Sequence, residues 1–342
     1  MNSAPKKLNR GLVWFVLATL LCFFWTSGQA REKEKWHKFS VSFTGGLSSF
    51  NNGDLNLMAR EATALASNTA VTLYFPEADW KEMKKTLPHF GLEFLYHPGQ
   101  RFAVGLGFQY ESRTNSTHNP GDGRFSYKHS DVIYNYQDTY ITNRYVVTNG
   151  FSADLIRDTA FALKGYYFLP LGKNFQAFIN AGPVLHLARL HLNYSSSKDD
   201  TVYTYRYEPT GNPGEYWMIL ENTEETVSTD DRWNEAKSSF LGFEAGIGLE
   251  VRIAAHFHGF IEGDLKVAKS ENWKGKMVRT SGTAEEIISE TITGKFFYQP
   301  WHYLGNTPLN YVAVPLDATS EGRKASIDFG GPVFRAGFRI VF

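Results

Sequence analysis

Phe334-Arg335-Ala336-Gly337-Phe338-Arg339-Ile340-Val341-Phe342, the closing run of the sequence, decides how the rest of the chain is read. Side chains of an extended chain alternate between two faces. Phe334, Ala336, Phe338, Ile340 and Phe342 therefore share one face, and Arg335, Gly337 and Arg339 share the other. A strand that is apolar on one side and cationic on the other calls for an apolar medium outside and a polar interior within, the arrangement of a β-barrel that crosses a bilayer.

Working outward from that run, the same alternation recurs seven times upstream. Phe39, Val41, Phe43 and Leu47 mark one run, and Phe90, Leu92, Phe94 and Tyr96 the next. The turn His97-Pro98-Gly99-Gln100 leads to Phe102, Val104, Leu106, Phe108 and Tyr110, which reads as a hairpin. Phe161, Leu163, Tyr167 and Leu169 are followed by the turn Pro170-Leu171-Gly172-Lys173-Asn174 and by Phe175, Ala177, Ile179, Leu185 and Leu187. Pro183 cannot donate to a ladder, so a bulge is expected there. Leu241, Phe243, Ala245, Ile247, Leu249, Val251 and Ile253 form the cleanest run; a turn at Ala254-Ala255-His256 leads to Phe257, Ile261, Leu265 and Val267.

The count is eight strands, three short turns and four long polar stretches, in strict alternation. The long stretches, read as outer loops, lie between the first two strands, from Ser112 to about Asp158, from Asn193 to Ser238, and from Lys269 to Ala325. Asp54 is placed as the N-cap of a helix from Leu55 to Ala66. A hairpin is expected around Pro209-Thr210-Gly211-Asn212-Pro213-Gly214; should it reach the bilayer, the count becomes ten.

The opening of the chain agrees with export. Lys6, Lys7 and Arg10 precede an apolar run from Gly11 to Trp25 and the small-residue exit Thr26-Ser27-Gly28-Gln29-Ala30. This is the form of a cleaved secretory signal over residues 1–30, leaving 31–342 as one barrel domain. The competing reading, a membrane anchor, has too short an apolar run, since a span needs about 20 residues. Cys22, the single cysteine, follows the bulky Leu21 rather than a small residue, against a lipoprotein. It falls inside the signal, so disulfides and cysteine chemistry are not expected in the exported chain. Formal charge is zero, and removal of the signal's cations leaves a slight acidic balance, with nothing that suggests nucleic acid.

The closing run also resembles the assembly signal of bacterial outer-membrane barrels: a polar residue at Arg335, Gly337 two positions on, then Phe338, Ile340 and the final Phe342. Ile340 departs from it, an aromatic being commoner there. The strand and turn pattern is similar to that of small eight-stranded barrels of the OmpA, OmpX and OmpW type, without the peptidoglycan-binding domain that follows some of them. That resemblance implies an all-β, antiparallel up-and-down transmembrane barrel in the bacterial outer membrane. It also implies lipid, lipopolysaccharide, the barrel-assembly machinery and periplasmic chaperones as partners.

The inward positions separate a pore from a plug. They include Glu93, Arg101, Glu111, Lys164, Glu244, Glu250, Arg252, Glu262, Asp264, Lys266, Arg335 and Arg339. Eight strands enclose a space that side chains fill, so these charges are expected to form an ion-pair network; a narrow channel for small or hydrophobic solutes is the alternative. A lipid-modifying barrel enzyme was also sought. His129-Ser130, and His186 and His191 with Asp199 and Asp200 nearby, form no recognisable nucleophile, base and orienter set. His256 and His258 are read as turn residues rather than metal ligands, and no cofactor is expected. Gly105, Gly107, Gly246 and Gly248 relieve crowding on the inward face rather than cradle a nucleotide. Trp217, Trp233, Trp273, Trp301 and the Tyr127–Tyr145 cluster are left as either a ligand-contact surface or packing residues. The expected role is non-enzymatic: a surface barrel whose outer stretches contact an extracellular ligand.

Overall fold

The computed structural model describes residues 38–51, 53–58, 60, 77–78, 86–114, 123–136, 139–210, 212, 215–301, 309–313 and 322–342. The proposed signal segment, most of the 55–66 helix and the side chains of the Tyr127–Tyr145 cluster, His129 and Trp301 lie outside the described residues.

Eight strands form the wall: β1 (Phe39–Ser49), β2 (Thr86–Gly99), β3 (Phe102–Thr114), β4 (Thr139–Pro170), β5 (Phe175–Pro209), β6 (Tyr216–Ala254), β7 (Phe257–Val267) and β8 (Gly331–Val341). Each pairs antiparallel with the next. The ring is closed by β8 on β1, from Ser40 opposite Val341 to Ser48 opposite Val333. The Phe342 amide donates to the Phe39 carbonyl at 2.9 Å, so the last residue is tied to the first strand. The protein is therefore all-β, an antiparallel up-and-down barrel of eight strands. The three short turns fall where expected, at one end of the wall, and the same end carries Phe39 and Phe342.

Alternation also holds. Leu106, Ile247, Leu249, Ile261, Leu265 and Phe334 face outward and are exposed, whereas Ser42, Lys164, Glu244, Asp264, Arg335 and Arg339 are buried. The inward glycines have a steric role. A Cβ on Gly248 would sit 2.2 Å from Phe178 Cζ, and one on Gly246 would sit 1.9 Å from Asp264 Oδ1.

Two expectations about the strands are corrected. The polar stretches after Ser112 and around 193–238 are sheet rather than loop. β4, β5 and β6 run on for 32, 35 and 39 residues in all. The strand Gly123–Tyr136 pairs with upper β4, Lys274–Thr283 pairs with upper β6, and Ile287–Lys295 pairs with Lys274–Thr283. Alternating hydropathy reports a strand only where its two faces meet different media. Strands with a polar outer face and a mixed inner one carry no such signal. The hairpin at 209–216 is the tip joining β5 to β6, so it adds no strands to the ring. At Pro183 there is no bulge: the β5–β6 register runs through it unchanged, and shifts fall instead between Ala153 and Leu155 and between Thr204 and Tyr205.

Above the barrel the wall encloses an apolar core rather than an open vestibule. Phe50, Leu55, Met58, Leu190, Leu192, Trp273, Met277, Phe296, Ile327 and Phe329 pack there. A helical turn over 54–58 supplies Leu55 and Met58. Its cap is Gly53, at φ 55°, whose carbonyl accepts from the Leu57 amide. Asp54 is not the N-cap: its carboxylate accepts from Arg323 at 2.6 and 2.7 Å and from the Ser326 amide at 2.6 Å, which fixes the segment before β8 over the mouth.

The outer hairpin is clamped by charge. Asp230 on β6 accepts from Arg232 at 2.7 Å and from Arg279, on Lys274–Thr283, at 2.9 and 3.1 Å. Burial pushes the Asp230 carboxyl up, but the hydrogen bonds from Arg232 and Arg279 outweigh it and hold the group below its ordinary value. A depressed carboxylate contributes stability that is present above about pH 4, where the unfolded group titrates, and lost as pH falls through the native value. Asp230→Asn at neutral pH, and acidification of the wild type below about pH 4, are both expected to loosen Lys274–Thr283 by about 1 kcal/mol. Hydrogen exchange corrected for intrinsic rates reads this; unchanged protection of that strand in the variant would contradict it.

Candidate functional site

The barrel interior gathers the chemistry of this chain, because inward parity on eight strands points toward one axis. At the short-turn end, Arg339 is buried. Its guanidinium lies 5.1 to 6.0 Å from the ring centres of Phe260, Phe168, Phe178 and Tyr166, within the range of cation–π attraction. Arg339 also donates to Ser42 Oγ at 2.9 Å and to Glu250, which in turn accepts from Gln176 at 2.6 Å and is bonded to His258 Nδ1 at 2.5 Å.

The middle layer centres on Glu244, which has 0% of its surface exposed. It accepts from Gln109 at 2.8 Å, pairs with Lys164 at 2.9 Å and pairs with Arg335. Lys164 and Arg335 also face Asp264 at 3.8 and 3.4 Å and Glu262 at 4.0 and 3.8 Å. Asn180 donates to Glu262 at 2.6 Å, and the Tyr166 hydroxyl donates to Glu93 at 2.7 Å. Two cations thus serve three carboxylates, while a phenol supplies the donor to Glu93 and neutral amides add donors to Glu244 and Glu262.

The third layer closes the lumen. Lys266 bridges Glu111 at 2.7 Å and Ser48 at 2.9 Å, and Glu111 is also bonded to His89 Nδ1 at 3.1 Å. His186 Nδ1 and Asp158 are hydrogen-bonded at 2.6 Å, with the imidazole stacked on Phe240 at 4.9 Å. The apolar upper core sits on top. Charges are costly to bury, and here the cost is offset by opposite charges gathered in the same small volume rather than by complete hydrogen bonding, since both Asp264 carboxylate oxygens are buried without a donor.

Of the twelve charged residues that parity placed inside, nine are buried in these layers and Glu93 is half-buried against Tyr166. The other two are corrections. Arg101 is exposed in the β2–β3 turn, one residue before its strand begins, where parity does not apply. Arg252 is half-buried at the lower rim beside Lys173, Gln176 and His258, below the closed layers. His89, Asp158, Tyr166, Asn180 and His186 were missed as partners. Inward parity alone would have placed all five, since Asp158 and Tyr166 share a face with Lys164, His89 shares one with Glu93, and Asn180 and His186 share one with each other on β5.

Among the described residues the histidines do not converge. His186 points inward and His191 outward, against Trp233 at 5.4 Å. His256 is bonded to the Val341 carbonyl at 2.9 Å, while His258 belongs to Glu250. Among the described residues no three His, Cys, Asp or Glu side chains group as a metal site. A His–Asp pair of this geometry can orient a general base, but His186 is fully buried under Phe240. The tryptophans divide: Trp273 is core, Trp233 lies under Lys276 at 5.2 Å, and Trp217 is 66% exposed at the outer tip.

A scan against protein-family models finds no match, and a search of curated proteins finds no relative.

The central layer makes a test of how the interior is held. Glu244→Ala leaves Lys164 and Arg335 short of a carboxylate and is expected to cost about 3–5 kcal/mol. Replacing the set together, Glu244→Leu with Lys164→Met and Arg335→Met, is expected to recover most of that loss. The midpoint of heat-modifiable gel mobility measures both; a triple variant no better than the single one would refute a charge-matching role.

Proposed function

We propose that this chain is an integral barrel of the bacterial outer membrane, of the OmpA, OmpX and OmpW type. Its lumen is closed, it performs no catalysis, and it presents a tall outer hairpin to an extracellular partner. The observation that carries the reading is the inversion of the wall, apolar outside and ionic inside. β1, β7 and β8 are 11 residues each, the length at which a tilted strand crosses a hydrocarbon layer. Their outward side chains and those of the neighbouring strands make a continuous apolar belt, with Leu241 71% exposed at its upper edge. At the short-turn end the exposed residues include Phe39, Tyr96, Phe102, Phe175, Phe257 and Phe342, a ring of aromatics of the kind that seats at a membrane interface.

The leader over 1–30 supports export, and Arg335, Gly337, Phe338, Ile340 and Phe342 support recognition by the assembly machinery after passage with periplasmic chaperones. The filled layers support a plug. The sealed His186–Asp158 pair supports a non-enzymatic role. The contact surface is argued from Trp217, Met218, Ile219 and Leu220, four successive apolar residues, all exposed at the β5–β6 tip. They break the alternation, so β6 is apolar on both of its faces there, roughly 70 Å of strand beyond the belt at about 3.3 Å per residue.

A second reading, passage of small or hydrophobic solutes, draws on a hollow of about 430 Å³ bordered by Ser49, Phe50, Val267, Gly331 and Pro332, where β1 and β8 part.

Two measurements test the first reading. Ile247→Arg, on the outer wall, is expected to destabilise the protein folded into phospholipid vesicles by about 2–4 kcal/mol; a neutral or stabilising effect would remove the membrane assignment. In planar bilayers the wild type is expected to show no steady conductance, and large, long-lived openings would favour the solute-passing reading instead.

A further inference from the structure

Five cations stand in one row on the outer wall. Arg157 on β4 pairs with Arg189 on β5, Arg189 with Lys237 on β6, Lys237 with Lys274, and Lys274 with Lys295. Direct cross-strand partners point to the same side of a sheet, and at about 5 Å per strand pair the row spans roughly 20 Å. Inward parity belongs to Ile156, Ala188 and Ala236, all buried, so the row faces out. Lys237, Lys274 and Lys295 are exposed, and Arg157 and Arg189 are half-buried.

Its height is set by the strands. One outward position below Arg189 is Leu187, and one below that are Leu185 and Leu241, the upper edge of the apolar belt. Arg189 and Lys237 thus lie where the proposed membrane reading puts the headgroup layer, and the ladder carries the row on from them.

Like charges directly opposite one another destabilise a sheet, and here four such pairings follow in succession. Counter-charge from the protein is sparse. Among the described residues Lys237 has an ion pair, with Glu235 at 3.0 Å, and Glu235 is shared with Lys276 at 3.9 Å. No carboxylate within pairing distance is found there for Arg157, Arg189, Lys274 or Lys295. The Arg157 Nε is buried without a hydrogen-bond partner, and its guanidinium lies 5.8 Å from the Tyr110 ring centre, so it is held in place with a donor to spare. Guanidinium and ammonium groups in a row suit phosphate oxygens, the arginines by paired donors and the lysines as point charges.

We propose that this row is a binding strip for the phosphate groups of outer-leaflet lipid, several phosphates bridged side by side along the wall. The strip rests on the membrane reading. Its position beside the belt selects a lipid-borne phosphate over a free one, because the acyl chains lie along Leu187 and Leu241 while the headgroup meets the cations.

The experiment uses the full protein folded into phosphatidylcholine nanodiscs that carry a minor fraction of bis-phosphorylated lipid A or of its monophosphoryl form, with retained lipid counted by native mass spectrometry. The wild type is expected to retain the bis-phosphorylated form at least about tenfold better, and less so as salt is raised. The variant Arg157→Gln/Arg189→Gln/Lys237→Gln/Lys274→Gln/Lys295→Gln is expected to lose the preference while keeping its heat-modifiable mobility. Glu235→Gln, which removes the one competing carboxylate, is expected to strengthen retention. A wild type that inserts without preference, a five-fold variant that keeps it, or equal competition by inorganic phosphate would each overturn the strip and leave the membrane reading standing. Failure to float with vesicles would overturn both.

Discussion

Side chains on a strand have two directions only, and closing the sheet converts them into inside and outside. Every other feature of this molecule depends on that constraint. Arg335 and Arg339 share an interior with Glu244 and Glu250 because they hold the same parity on strands that meet around one axis. The same constraint sends Phe334, Leu249 and Ile261 outward, where an ordinary soluble fold would have no use for them. A single register slip would exchange the two sets, so the register is held by both faces of the wall at once. Closure of β8 on β1 completes the ring and removes the edge that either strand would otherwise expose.

Within that frame the interior is built in layers of different chemistry. Aromatic rings surround Arg339 at the lower end, carboxylates and amides surround Lys164 and Arg335 in the middle, and an apolar core lies above Lys266 and His186. Glycine permits the thickness of these layers. Phe178 and Asp264 occupy the space a side chain would need at Gly248 and Gly246. The upper core matters as much as the ions. A vestibule open to water would let the long β4–β6 wall collapse or splay, whereas Trp273, Phe329 and the 54–58 turn give it something to pack on.

The barrel was legible because its wall is apolar on the outside and polar within, which stamps period two on each strand. The inward charges followed from the same parity, and ten of the twelve lie within the wall. Arg101 and Arg252 did not follow, since parity loses meaning at the turn and rim. The outer sheet was not legible. Its strands are polar on one face and mixed on the other, and polar residues between apolar runs read as loop. The partnership of His186 with Asp158 was hidden for another reason: Asp158 reads as the end of a polar stretch and not as an inward position of β4, although it lies only 28 positions away across an expected turn.

The amino-acid order by itself determined the strand count, the short turns, which face of each strand is apolar, and the nature of the closing strand, because each is a local property of alternation and turn chemistry. Register, and with it every cross-strand neighbour, was decided only in the tertiary structure. Arg157, Arg189, Lys237, Lys274 and Lys295 are scattered across 138 positions of the chain and become one row solely because four ladders align them. The same holds for the core of Phe50, Trp273 and Phe329, which no single stretch contains. Alternation is written along the chain, but neighbours across a sheet are set by how whole strands slide against one another, and that is settled by the packing of all of them together.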